Sequence, residues 1–233
     1  MHNSIVIYHG SKYIVNEPTL YGGKQTNDYG YGLYCTKEIE LANEWACPDN
    51  NDGYANEYVL DLTGLKVLDL SKKEYNILNW IALLLKYRIP EGLSMNNEQV
   101  RKYIIDNFSI DLTDVDVIIG YRADDSYFSF ARDFVKNSIT VSQLSKAMEL
   151  GKLGLQIVVR SEKAFSQLKY VGYTIASNEI YYTKRLARDL SAREEYQKHT
   201  KNIQIDKDDL FIMDIIRQGV KNDDPRIQRN ISR

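Results

Sequence analysis

Cysteine and histidine are scarce in this chain of 233 residues, which has two of the first and three of the second. Cys35 and Cys47 stand twelve positions apart with no second pair and no histidine cluster, so neither a zinc site nor a disulfide framework is indicated, and a reducing cytosol fits best. Long apolar runs are missing as well. The longest, Trp80 to Leu85, falls far short of the roughly 20 residues that a membrane-spanning helix needs. The opening MHNSIVIYHG lacks a basic segment followed by an apolar one, so a cytoplasmic protein with no membrane partner is expected. The formal net charge of −2 leaves no global basic excess, which argues mildly against broad, salt-sensitive nucleic-acid binding. No Gly-Lys-Ser/Thr phosphate loop, His-Glu-x-x-His or Gly-x-Ser-x-Gly motif occurs, which removes the common NTPase, zinc protease and serine hydrolase readings. Gly30-Tyr31-Gly32 lacks the third glycine and the βαβ setting of a dinucleotide fingerprint. There is no fixed-period repeat.

What is present is an ordinary globular composition, 43% hydrophobic and 27% charged. The length suits one domain with a short appendage, read as residues 1–200 and a C-terminal helix and tail over 201–233, docked on the same domain. Tyrosine is abundant, 18 against 6 phenylalanines, and each buried tyrosine hydroxyl needs a partner; that suits polar clefts and wet interfaces.

The β-branched run Ser4 to Tyr8 predicts a strand ending at His9-Gly10-Ser11. A glycine-rich loop follows from Tyr21 to Tyr34. Thr36 is placed to cap a helix from Lys37 to about Cys47, stopped by Pro48. Glu57 to Leu62 and Leu65 to Leu70 read as a hairpin or bent strand pair across Thr63-Gly64. Helices are expected over Glu74 to Tyr87, Asn97 to Phe108, Tyr127 to Val135, Val141 to Leu150 and Lys184 to His199. Val115 to Gly120, Leu155 to Val159 and Tyr170 to Tyr182 read as strands, and the apolar patch Leu210 to Ile216 as a docked helix before a polar tail. Helices and strands mix without strict alternation, so the fold class is α+β.

Two constellations carry chemistry. Tyr8-His9-Gly10-Ser11 delivers an imidazole at a strand end beside a glycine whose missing Cβ permits close approach of a ligand; the alternative is a structural histidine. Gly32-Leu33-Tyr34-Cys35-Thr36 is followed, eleven residues after Tyr34, by Trp45 on the next helix. Two such aromatics either grip a flat cationic ring by stacking and cation–π attraction, or Trp45 fills the core. Arg122 offers a fork for a pyrophosphate or a salt bridge to Asp124 or Asp125. Lys24, Tyr29 and Tyr31 sit in the glycine-rich loop, either as a lid over a ligand or as solvated loop residues.

Taken in order, Tyr-His-Gly-Ser, the glycine-rich loop, Gly-Leu-Tyr-Cys-Thr and the following aromatic resemble the ADP-ribosyltransferase superfamily. More closely, Asp28 to Thr36, Gly120 to Ser126 and Leu150 to Gln156 are similar to segments of a bacterial family of uncharacterised proteins within it, over residues 5 to about 217. The resemblance implies a split, strongly bent fold of two small sheets with a cleft between, surrounded by helices, and a His-Tyr-Glu triad on three strands. It implies NAD as co-substrate and His9, Tyr34 and Gln156 as the triad. His9 would bind the adenosine ribose, Gly10 backbone groups the nicotinamide amide, and Tyr34 and Trp45 would stack on the nicotinamide ring; Ser11 and Arg122 complete the cofactor-binding residues, Arg122 on its own chemistry, since the superfamily has no universal arginine at this place. Gln156 departs from the pattern. A neutral amide orients ribose hydroxyls but supplies no charge to an oxocarbenium-like ribose, leaving Glu149, Asp124 and Asp125 as alternative acids. The activity implied is mono-ADP-ribosyl transfer to a protein or nucleic acid, with toxin–antitoxin or phage-defence roles and an inhibitor or antitoxin partner by analogy. A module that binds NAD without catalysis, or a plain NAD glycohydrolase, are the alternatives.

Overall fold

The computed structural model describes residues 3–49, 51–88, 95–123, 125–150, 154–202 and 207–228. The β-branched and aromatic N-terminal run forms β1 (Ser4–Ser11), and the apolar segment after the glycine-rich loop forms β2 (Leu33–Cys35). Helix α1 (Ile39–Ala46) follows. Thr36 is not its cap: Glu38 holds that place, and the Thr36 hydroxyl instead accepts from the Glu38 N–H at 3.1 Å, tightening the turn into the helix. Next come β3 (Gly53–Asp61) and β4 (Val67–Asp69).

These last two strands correct the expected hairpin, because they belong to different sheets. One sheet is antiparallel in the order β1-β3-β7, where β7 is Leu168–Ala176. The other has the order β2-β6-β5-β4, with β5 at Val117–Tyr121 and β6 at Leu155–Val159; its β4–β5 pair is parallel and the rest antiparallel. Thr63-Gly64 therefore marks the crossing between sheets. β7 also ends sooner than the aromatic pattern suggested, since helix α7 (Asn178–Asn202) begins two residues after Ala176.

The remaining helices are α2 (Ile77–Tyr87), α3 (Met95–Phe108), α4 (Asp125–Val135), α5 (Val141–Ala147), α6 (Glu162–Ser166), α8 (Ile212–Gln218) and α9 (Pro225–Gln228). None of the described helices is long and apolar enough to cross a membrane. The result is an α+β protein with two open sheets.

The four-stranded sheet is buried on both faces, which explains why Val117 to Ile119 and Ile157 to Val159 are apolar without alternation. Ile118 and Val158 face the main core, built on α2, where every residue from Ile77 to Leu85 is buried. Val117, Ile157 and Val159 face the opposite way, against Ile7, Tyr58 and Leu60 of the first sheet. The C-terminal segment enters the main core through Leu210, Ile212, Ile215, Val220 and Ile227. It is locked there by Asn222, whose Oδ1 accepts from Asn76 Nδ2 at 2.8 Å and Asn79 Nδ2 at 2.9 Å. Asn76 and Asn79 also form the capping box that starts α2, so helix initiation and tail docking share the same side chains.

Candidate functional site

Among the described residues, one main-chain bridge joins the edges of the two sheets. The Tyr8 and Thr36 backbones exchange hydrogen bonds at 2.8 and 2.9 Å, while β2 pairs with β6 only as far as Cys35. Beyond that bridge β1 continues with His9, and the imidazole takes over where main-chain pairing stops: His9 Nδ1–H donates to the Tyr34 carbonyl at 2.7 Å. With Nδ1 committed as donor, Nε2 is left as the acceptor of a neutral ring. Burial lowers the His9 pKa from its ordinary value, only partly offset by the Tyr34 carbonyl, and so favours that neutral form.

On the second sheet Tyr34 lies opposite Val158, and Gln156 lies two residues along β6 from Val158, so both side chains emerge on the same face. A cleft of about 530 Å³ opens between them and His9. Gly10, Ser11, Trp45 and Arg122 also line it, so the structure brings all seven sequence-selected site residues to one cavity. Its volume is in the range of small-molecule sites, roughly 300–1,000 Å³.

The local chemistry differs from expectation in several places. The space beside Gly10 is taken by the protein itself: a Cβ there would lie 2.0 Å from the Ala42 carbonyl oxygen, so this glycine lets α1 lie against β1. Tyr29 is no lid residue. It is fully buried, with its hydroxyl donating to the Tyr121 carbonyl at 2.8 Å, whereas Tyr31 is exposed and meets Tyr21 edge-on at 5.2 Å. Trp45 already carries a cation on one face, the Arg122 guanidinium at 4.1 Å from the ring centroid. The Trp45 Nε1–H is buried with no hydrogen-bond partner among the described residues. Of the alternative acids, Glu149 is exposed and lies in a separate groove with Glu40, Glu44 and Lys184, away from the cleft. Asp124 and the side chain of Asp125 lie outside the described residues.

Tyr34 is held by its hydroxyl, which donates to the Gly30 carbonyl at 2.7 Å and accepts from the Tyr29 N–H at 3.0 Å. Gly30 adopts φ +82°, a left-handed conformation that closes the turn around this hydroxyl at little steric cost. Burial drives the phenol pKa far above its ordinary value, so Tyr34 offers the cleft a ring face and no acid–base group.

The residues that sequence reasoning passed over are Asp28, Arg88 and Asn56. Asp28 and Arg88 line the cleft, 60 residues apart, as an ion pair of 3.0 Å. Arg88 follows the buried α2, and its guanidinium also lies 4.3 Å from the Phe128 ring centroid. Asp28 was visible only as part of a motif, and nothing local marks it as buried. Asn56, fully buried on β3, accepts from the Val15 N–H at 2.8 Å and donates to the Tyr13 and His9 carbonyls at 3.1 and 3.2 Å. It thereby fixes the cleft wall that follows β1.

No curated protein and no solved structure matches this chain. Residues 5–170 match the family described as Protein of unknown function (DUF3990), a span that runs from β1 into β7 and contains every cleft residue named above. The match covers more than half of the sequence, and the chain belongs to that family.

Proposed function

We propose that the protein is a mono-ADP-ribosyltransferase that takes NAD into this cleft and passes ADP-ribose to a macromolecular acceptor. One observation carries the reading: His9, Tyr34 and Gln156, drawn from three strands of two sheets, meet around a single cavity that also holds Trp45 and Arg122. The parting of the sheets after the Tyr8–Thr36 bridge fits the split, bent architecture expected of that superfamily.

The lining suits the dinucleotide. His9 Nε2 is an acceptor for an adenosine ribose hydroxyl, and the Gly10 backbone, on the edge strand β1, meets the nicotinamide amide. The Tyr34 ring offers a stacking face and Arg122 a fork for the pyrophosphate. Because the guanidinium rests on Trp45 here, nicotinamide reaches that indole face by taking the place of Arg122.

In the reaction, the bond between ribose C1′ and the nicotinamide nitrogen breaks with its electron pair leaving on nitrogen, which becomes neutral. A lone pair of the acceptor then bonds C1′, and the acceptor's proton passes to solvent. NAD with a labelled adenylate, added to cell extract with the protein, tests the proposal: nicotinamide is released, label appears in the protein or the nucleic-acid fraction, and both effects vanish with His9→Ala or Tyr34→Ala. As a biological setting we propose a bacterial toxin or defence protein, for which growth arrest on expression, relieved by the same substitutions, is the check.

A second reading is favoured by one observation. Gln156 is neutral and the neighbouring Asp28 is paired with Arg88, so no unpaired carboxylate among the described cleft residues faces a developing oxocarbenium. On that reading the protein binds NAD without cleaving it, and nicotinamide release is absent while binding persists. Release without labelled acceptor identifies an NAD glycohydrolase instead.

A further inference from the structure

The Gln156 side chain is almost completely buried at the cleft floor, and its amide is not free to rotate. Nε2 donates to Asp28 Oδ2 at 3.0 Å and to the Tyr121 carbonyl oxygen at 3.0 Å. Both neighbours are acceptors only, so the NH₂ group must face them and its two hydrogens are used. This settles which end of the amide is which, since the reversed orientation would set three oxygens against one another. The Oε1 atom is then the group left for a ligand, with no hydrogen bond to it among the described residues.

Asp28 is itself fixed from three sides. Arg88 Nη1 donates to Oδ1 at 3.0 Å, and the Ala123 N–H donates to Oδ2 at 2.9 Å, beside the Gln156 amide. Arg88 is in turn tied to the Ala123 carbonyl at 2.5 Å. A carboxylate accepting from an amide N–H pushes electron density through the amide onto its carbonyl oxygen, and such chains strengthen one another away from water.

We propose that Asp28 is a positioning residue that converts the neutral Gln156 into a fixed, polarised acceptor for a hydroxyl of the NAD ribose next to nicotinamide. The pair divides the task between two residues: Gln156 Oε1 receives the hydroxyl, and Asp28 behind it, held by Arg88, orients and polarises the amide. Arg88 keeps that carboxylate in place. No proton changes hands along the chain. The inference rests on the NAD reading above.

A charge swap tests it, with the full chain carrying Asp28→Asn, Gln156→Glu or both. NAD affinity is measured by calorimetry, nicotinamide release as kcat and KM, and folding by thermal melting. Asp28→Asn allows the amide at 156 to turn over and present its NH₂ to the cleft; kcat falls about 10- to 100-fold while the NAD dissociation constant changes by less than about threefold. Gln156→Glu alone sets two carboxylates side by side, which raises the pKa of one and gives the kcat profile a new inflection. The double variant restores the donor–acceptor order between positions 28 and 156 with the charge moved forward, leaves the Tyr121 carbonyl and the Ala123 N–H without their present partners, and raises kcat above that of Asp28→Asn.

A folded, NAD-binding Asp28→Asn that retains kcat within twofold overturns the inference and leaves the NAD reading standing. If Asp28→Asn fails to fold, the kcat profile of Gln156→Glu decides the matter: an inflection above the ordinary carboxylate range supports the coupling of the two side chains, and a profile without one overturns it. Wild-type protein that binds NAD without releasing nicotinamide overturns the catalytic role of the pair, and wild-type protein that binds no NAD overturns the NAD reading and this inference together.

Discussion

His9 Nδ1 stands 2.7 Å from the carbonyl oxygen of Tyr34, at the place where the two sheets stop sharing main-chain hydrogen bonds. A side chain thus completes the edge of β2, and the same bond fixes the tautomer that the proposed chemistry uses.

The pH dependence follows from that bond and its burial. The folded-state pKa of His9 lies below the unfolded value of about 6.5, so the folded protein holds fewer protons on this group. Its contribution to stability is complete above about pH 6.5 and is lost as pH falls through the lower folded value. Denaturation midpoints and NAD affinity are expected to decline together over that window. In His9→Gln the decline that belongs to this group disappears, as urea melts across pH 5 to 8 will show.

Removing only the Tyr34 hydroxyl separates its two roles. Tyr34→Phe leaves the Tyr29 N–H and the Gly30 carbonyl without their shared partner and costs about 1–3 kcal/mol of stability. The ring face remains, so NAD affinity stays within a few-fold, whereas Tyr34→Ala abolishes it. Thermal melts and calorimetry on the two variants check this.

Gly10→Ala pushes a methyl group onto the α1 backbone, 2.0 Å from the Ala42 carbonyl oxygen. The expected loss lies at or above the top of the usual overpacking range, about 1–3 kcal/mol, and the melting temperature drops accordingly. An unchanged melting temperature shows that α1 shifts freely against β1.

Asn222→Ala tests the C-terminal clasp. Two amide donors at the start of α2 lose an acceptor, which costs about 1–3 kcal/mol for each that stays dry. Exchange protection at the first turn of α2 is expected to fall with the global stability.

Much of this architecture was legible because it rests on local patterns. β1, β6 and the apolar helices α2 and α8 follow from periodicity and branching, and the site residues from a few ordered motifs. What was not legible depends on partners far away in the chain. Thr63-Gly64 carries the composition of a hairpin turn, yet β4 finds a parallel partner in β5, 50 residues on from Val67 to Val117. Gly10 looks the same in sequence whether a ligand or a helix fills the space beside it. Asp28 reads as a loop carboxylate until α2 brings Arg88 across and β6 brings Gln156 beneath it.

The central claim is that this cleft is an NAD site, and direct calorimetric titration of NAD into the intact chain tests it most plainly. The account predicts saturable one-to-one binding that is lost in Tyr34→Ala and in Trp45→Ala variants whose melting curves show them folded. No heat of binding at millimolar NAD, or binding that survives both substitutions, contradicts it.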